Sequence, residues 1–377
     1  MPYTERARLY QKIEALRGRP LVVYATSSRR NAAGQIDAEA VPQFAKQLLA
    51  IPKNQDHLDI FLASESGDAL AAGRMISLLR ERFKKIGVLL PYSTGEAATL
   101  FTLAADEIFM HPFAALAPIT SSLSFEKRNF NRGLQEDEGR WDVAEVRHFF
   151  EFVKMEIGEA HERNVEQALK TICAEAGALP LGAALRRARS VLALSEKLLN
   201  RHLHDKSRVG MIAAAMNSAF SENCHALGRQ EVQELGLPVI PSSEELEDLL
   251  WQIWQDVEEE MKCNKPFDAL ELIFRNSEAA ALISPVMQVQ WPAHAPAEMA
   301  PQIYGNVLPQ VKIAPAPSVD YNLLQATLES VRCKSEFRTH GKISAARKPD
   351  MSLATGNVRI SAGWKFSKSL EAPAKNG

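Results

Sequence analysis

The chain has 377 residues, of which 46% are hydrophobic and 24% charged, and its formal net charge is -2 at pH 7. That length favours one large domain with additions or two to three domains, and the composition excludes disordered and collagen-like classes. The near-neutral charge gives no global reason for a polyanionic partner, and no apolar run reaches the roughly 18 residues that span a bilayer.

The N-terminus, MPYTERARLYQKIEALRGRP, is charged throughout and has no apolar core of a secretory signal, so cytoplasmic residence is the expectation. Residues 3–18 read as a short amphipathic helix, with Leu9, Ile13 and Leu16 on one face. Leu21–Tyr24 suits a buried strand, and a helical pattern follows from Ala38 to Leu49. A second strand, Leu58–Leu62, runs into the loop SESGD, which opens a helix from Ala69 to about Lys84. Gly87–Tyr92 is another strand, followed by the turn STGE and the helix AATLFTLAAD. Glu107–Met110 is a further strand, and Leu116–Ile119 resumes extended structure.

Alternating strands and helices imply parallel pairing through right-handed crossovers, with a sheet buried on both faces. Sites in such sheets lie beyond the carboxyl ends of the strands, which brings SESGD and YSTGE to one edge. From 122 to 140 the chain reads as polar and irregular. Helical patterns then fill most of residues 142–262, ending in SSEELEDLLWQIWQDVEEEM with its serine cap and 3.6-residue period. A Pro/Ala-rich stretch at 291–317 reads as linker, Tyr321–Ser330 as a helix, and the rest, including NVRISAGWKF, as a small antiparallel meander. The expected fold class is therefore α/β. Its expected divisions are an α/β core at 1–125, a helical region at 126–265 that packs on the core and mediates assembly, a linker at 266–318, and a basic β-rich segment at 319–377. The four cysteines, Cys173, Cys224, Cys263 and Cys333, contain no CxxC pair, so no zinc site or disulfide framework is expected; nor is a cofactor expected.

The stretches LDIFLASESGDALAAGRMISLLR and VLLPYSTGEAATLFTLAADEIFMHPFAALAPI resemble the serine dehydrogenase proteinase family, Clp-fold serine peptidases related to signal peptide peptidase A. PLGAALRRARSVLALSEKLLNRHL, HALGRQEVQELGLPV, DLLWQIWQDVEEE and the C-terminal ESVR…GWKF are similar to its later regions, so the resemblance covers about Tyr10 to Phe366. It implies the spiral ββα superfold shared with crotonases, usually as homo-oligomers, and peptide hydrolysis as the inherited activity on a peptide or protein ligand. The family pattern is roughly S-P-G-G-D, then S-A-G-T for the nucleophile turn, then D-E-I-V-M-H-P and L-G-P-I-D-P. In this chain the first loop keeps Gly67 of the two glycines, and Glu96 stands where the family carries its serine. Asp106 and His111 match D-E-I-V-M-H-P, in a family described as using a Ser, Asp, His triad, and Thr120 follows Pro118-Ile119 where the family has aspartate.

Acyl transfer needs an activated nucleophile, an adjacent base and N–H donors facing the oxyanion. The backbone N–H groups of Gly67 and Ala97 are the candidate donors, although Gly67 also suits a plain helix entry. A carboxylate at Glu96 is a poor acyl nucleophile and repels a developing oxyanion. It can instead serve as a crotonase-like general base on an acyl-CoA thioester, or close a capping box with Ser93. Ser93 and Thr94 are the substitute nucleophiles if the turn is shifted, and Ser64 and Ser66 suit turn hydrogen bonds. His111 also reads as a structural histidine at a strand end, and His225 as serving a helix entrance.

From Val331 to Gly377 there are ten Lys/Arg and three Asp/Glu, a local charge of +7. That segment suits a solvated face, an oligomer contact, or an acidic or nucleic-acid partner. Three functional expectations follow: a degenerate peptidase homologue acting as scaffold or peptide binder, an active hydrolase with relocated nucleophile or Glu96 chemistry, and an accessory binding protein using its basic C-terminus.

Overall fold

The computed structural model describes residues 1–95, 97–119, 122–126, 138–156, 162–217, 225–283, 296, 318–347 and 352–368. The helix α1 (Tyr3–Arg17) leads into β1 (Leu21–Thr26), and α2 (Ala40–Ala50), β2 (His57–Ala63), α3 (Ala69–Arg82), β3 (Lys85–Leu90), α4 (Ala97–Leu103) and β4 (Glu107–Met110) alternate after it. Three short strands follow, β5 (Ala115–Leu116), β6 (Ser122–Glu126) and β7 (Glu138–Asp142), and then α5 (Val143–Glu156), α6 (Glu162–Ala176), α7 (Ala178–Leu199) and α8 (Lys206–Ala215). Next come β8 (Leu227–Gly228), α9 (Arg229–Glu234), α10 (Glu244–Met261), α11 (Ala269–Arg275) and α12 (Ser277–Ile283). Three long strands close the order: β9 (Val319–Glu329), β10 (Cys333–Arg347) and β11 (Leu353–Lys368).

The fold is α/β around a seven-stranded sheet of order β11-β10-β9-β1-β2-β3-β4. β1 to β4 pair in parallel, in register from Leu21 opposite Asp59 through Gly87 opposite Glu107. Right-handed crossovers between strands laid down in one direction put their connecting helices on one face. Accordingly Val22, Tyr24, Leu58 and Ile60 pack with Phe44 of α2, Met75 of α3 and Phe101 of α4. The alternate residues Leu21, Val23, Phe61 and Leu89 face the other way, onto Tyr10 and Ile13 of α1 and Leu250 and Ile253 of α10. Every residue of β1 is buried, as a strand covered on both faces requires.

Two expectations change here. Tyr321–Ser330 is not a helix: residues 321–329 belong to β9, which pairs antiparallel with β1 on one side and with β10 on the other. Two ladders satisfy the backbone at once, and the C-terminal strands thereby extend the central sheet. The stretch 122–140, read as irregular, contains strand instead: residues 122–126 and 138–142 pair as the antiparallel β6 and β7, while 127–137 lie outside the described residues. Within the stretch read as linker, α11 and α12 pack Ile273, Ala279 and Ile283 on Ile343 and Ala345 of β10. The Pro/Ala-rich 291–317 lies, apart from 296, outside the described residues.

A buried ionic group ties the two ends of the chain together. Arg6, fully buried on α1, donates through Nε to Glu329 Oε2 at 3.0 Å and through Nη2 to Oε1 at 2.7 Å. The Tyr10 hydroxyl at 2.6 Å and Thr327 Oγ1 at 2.8 Å also donate to Glu329. Arg6 Nη1 and the N-terminal ammonium both meet Asp256 of α10. Among the described residues no single helix is long and apolar enough to cross a membrane.

Candidate functional site

The carboxyl ends of β2 and β3 release the two loops that carry the candidate residues. Asp68 caps α3, its Oδ1 accepting from the Leu70 N–H at 2.7 Å, which fixes the end of the first loop. The Ser64 hydroxyl accepts from Thr26 Oγ1 at 2.7 Å and donates to the Ser66 carbonyl at 2.9 Å. The segment after β1 braces this loop from the side: Ile36 N–H donates to Ser66 O at 3.1 Å, and Asp68 N–H donates to Ile36 O at 2.7 Å. The second loop is tied to the first by the Gly95 N–H, which donates to Ser64 O at 3.0 Å.

Gly67 and Ala97 meet where these loops touch. A Cβ placed on Gly67 would lie 2.7 Å from the Ala97 Cβ and 2.8 Å from both the Ile36 Cβ and its carbonyl oxygen. Gly95 is equally confined, 2.9 Å from the Glu65 carbonyl oxygen by the same measure. Small residues at 67, 95 and 97 are therefore what lets the two loops approach. Glu96 lies outside the described residues, and with it the capping box with Ser93; Thr120 lies outside them too.

Thr94 is fully buried and held to β5, its N–H donating to Ala115 O at 2.9 Å and its hydroxyl to the same oxygen at 3.3 Å. Asp106 stands at the amino end of β4, where its Oδ2 accepts from Arg80 Nη1 at 2.8 Å and from the Ile86 N–H at 2.7 Å. His111 stands at the opposite end of that strand. Its Nδ1 accepts from the Phe113 N–H at 3.1 Å, and its ring stacks on Trp251 with centroids 4.9 Å apart and planes at 17°. Burial depresses its pKa below the ordinary imidazole value. Asp106 and His111 are thus separated by the length of β4, whereas Gly67, Gly95 and Ala97 are brought together. Among the described residues at this edge, no Ser or Thr hydroxyl is hydrogen-bonded to a histidine.

A cavity of about 70 Å³ opens beside these loops, lined among others by Ser64, Glu65, Tyr92, Ser93, Trp254 and Cys263. Burial pushes the Glu65 carboxyl above its usual pKa. Tyr92 and Trp254 lie 4.4 Å apart, Trp254 and Trp251 4.6 Å, and Trp251 and Phe113 5.4 Å, so α10 lays an aromatic shelf along the mouth. Sequence reasoning missed this shelf. Its signal was present in LLWQIWQ, where two tryptophans three residues apart share one helix face. His225 does serve a helix entrance, its Nε2 lying 3.2 Å from Glu231 of α9. Arg80 and Arg82, in the last turn of α3, bind backbone carbonyls, Ala104 in one case and Leu48 and Ile51 in the other. Among the described residues no group of three or more His, Cys, Asp and Glu is placed to hold a metal.

No family model matches the chain, and no curated protein matches it. Among solved structures it is similar to ClpP1 from Listeria monocytogenes, at 13% identity and a TM-score of 0.33, over 63% of this chain and 99% of that one.

Proposed function

We propose that this protein is a Clp-type serine-peptidase homologue in which hydrolysis has lapsed and peptide binding remains. The observation that carries the reading is the Gly67–Ala97 contact: the approach of two loops that oxyanion binding needs is kept, while the nucleophile position holds Glu96. The surroundings support it. The hydroxyls of Ser64 and Thr94 are engaged by backbone, and His111 faces Trp251. A base without a hydroxyl beside it does not activate a nucleophile. The aromatic shelf of Tyr92, Trp251 and Trp254 supplies apolar contact for the side chains of an extended peptide. The reading brings with it a cytoplasmic homo-oligomer assembled through residues 126–265.

A fluorophosphonate probe tests the lapse of catalysis. The purified protein is expected to remain unlabelled under conditions that label an active serine hydrolase. Labelling that disappears in Ser93→Ala or Thr94→Ala would overturn the reading. Peptide binding is read separately, by anisotropy of a fluorescein-labelled unfolded casein fragment. Binding is expected, weakened in Trp254→Ala, and its absence in the wild type would remove the peptide ligand.

A further inference from the structure

A second cavity, of about 370 Å³, lies between the loop after β1 and the face of β9, β10 and β11. Its volume falls in the range of small-molecule sites, and it shares no lining residue with the cavity beside Ser93. Its walls are aromatic. Phe337 and Trp364, paired across β10 and β11, meet edge to face at 5.7 Å, and Tyr321 tilts on Phe267 at 5.5 Å.

Most of its polar groups are already engaged. Gln325 donates through Nε2 to Ala33 O at 2.9 Å and accepts at Oε1 from Thr339 Oγ1 at 2.6 Å. The Tyr321 hydroxyl donates to Asn357 Oδ1 at 2.9 Å. Asp37, the carboxylate on the wall, accepts from the Ala40 N–H at 3.1 Å as α2 begins. That bond from Tyr321 fixes the Asn357 carboxamide and leaves its NH2 as a donor. The guanidinium of Arg359, two residues on, has no acid partner among the described residues. Trp364 adds a buried Nε1–H with no acceptor. Three of the unengaged groups are donors, one of them permanently charged, and they are set among π faces.

We propose that this cavity binds a small planar organic anion, an aromatic carboxylate whose ring lies among Tyr321, Phe337 and Trp364 and whose carboxylate meets Arg359 and the Asn357 amide. A guanidinium fork matches a carboxylate with two parallel hydrogen bonds, and the aromatic walls bury the ring. The wall residues Gly34, Gln35 and Asp37 flank Ile36, so an occupant touches the segment that braces the Gly67 loop.

Isothermal titration of the full chain with sodium 2-naphthoate tests this, with 2-naphthylmethanol as the neutral analogue and acetate as the charge alone. Naphthoate is expected to bind saturably, and the other two at least about tenfold more weakly, the worth of a charge-assisted hydrogen bond. Arg359→Gln, at an exposed position, is expected to weaken naphthoate by about tenfold without moving the melting temperature. Trp364→Phe keeps the ring but removes the Nε1–H, and a severalfold loss is expected. The proposal is overturned if naphthoate does not saturate, if the neutral analogue binds equally well, or if Arg359→Gln binds naphthoate like the wild type.

Discussion

Gly67 sits against Ala97 so closely that a single methyl group on the glycine would fall 2.7 Å from the alanine Cβ. The absence of a side chain there lets the two loops of the candidate site approach, and the Gly95 N–H bond to Ser64 O ties them.

Gly67→Ala is expected to lose about 1–3 kcal/mol, the cost of overpacking a well-filled contact, read as a lower urea midpoint. Gly34→Ala is expected to lose more, because its Cβ would lie 1.8 Å from the Gln325 carbonyl oxygen, a backbone atom of β9. Gly182→Ala provides the contrast. Nothing lies within 4 Å of its Cβ position, it is helical, and a gain of about 0.5–1 kcal/mol is expected. The order of the three midpoints checks the loop packing.

The Arg6–Glu329 pair makes a second prediction. Removing one partner leaves a charge buried without compensation, so Arg6→Met or Glu329→Gln is expected to cost about 3–5 kcal/mol. Arg6→Met combined with Glu329→Leu is expected to lose clearly less than the sum, because neither charge is then stranded. A double-mutant cycle of chemical denaturation measures the difference. Additive losses would show that the two residues act independently.

Glu107 governs part of the acid stability. Burial by itself raises its carboxyl, but hydrogen bonds from Lys85 and Arg19 outweigh that and hold it at about 2. A carboxyl depressed in the folded state contributes stability that is complete above its unfolded value, about 4.3, and is lost as pH falls through the folded value. The wild-type urea midpoint is expected to fall between about pH 4.3 and 2. Glu107→Gln should be less stable at neutral pH and should lack that part of the fall.

Restoring a serine is not expected to restore chemistry. Glu96→Ser should remain unlabelled by a fluorophosphonate, because the His111 ring is stacked on Trp251 and its Nδ1 is engaged by the Phe113 N–H. The wild type is likewise expected not to turn over acetyl-CoA or crotonyl-CoA. Turnover abolished by Glu96→Gln would establish Glu96 as a general base and replace the lapsed-peptidase reading.

The alternation of strands and helices from residue 3 to 110 was legible because each signal is local. Leu21–Tyr24 and Leu58–Leu62 are short apolar runs, and the helices between them carry a one-sided period. The two loops were legible for the same reason, as glycine-containing segments that follow strands. The contact between Gly67 and Ala97 was foreshadowed only as two separate positions on one edge. The separation of Asp106 and His111 was legible too, since they flank Glu107–Met110, which reads as a strand and is β4.

By itself, then, the sequence determined an α/β core, the edge on which its loops gather, and the identity of the residue at position 96. The tertiary structure alone decided that residues 319–329 are a strand. Tyr321, Leu324 and Leu328 recur at helical spacing, but β1 offers one free ladder and β10 another, and two sets of backbone hydrogen bonds override a weak local period. It also decided that Arg6 and Glu329, 323 positions apart, share one dry site, and that α10 sets Trp254 on the cavity beside Ser93. Local periodicity is written in neighbouring residues. Burial, pairing and charge compensation depend on partners that only chain folding brings together.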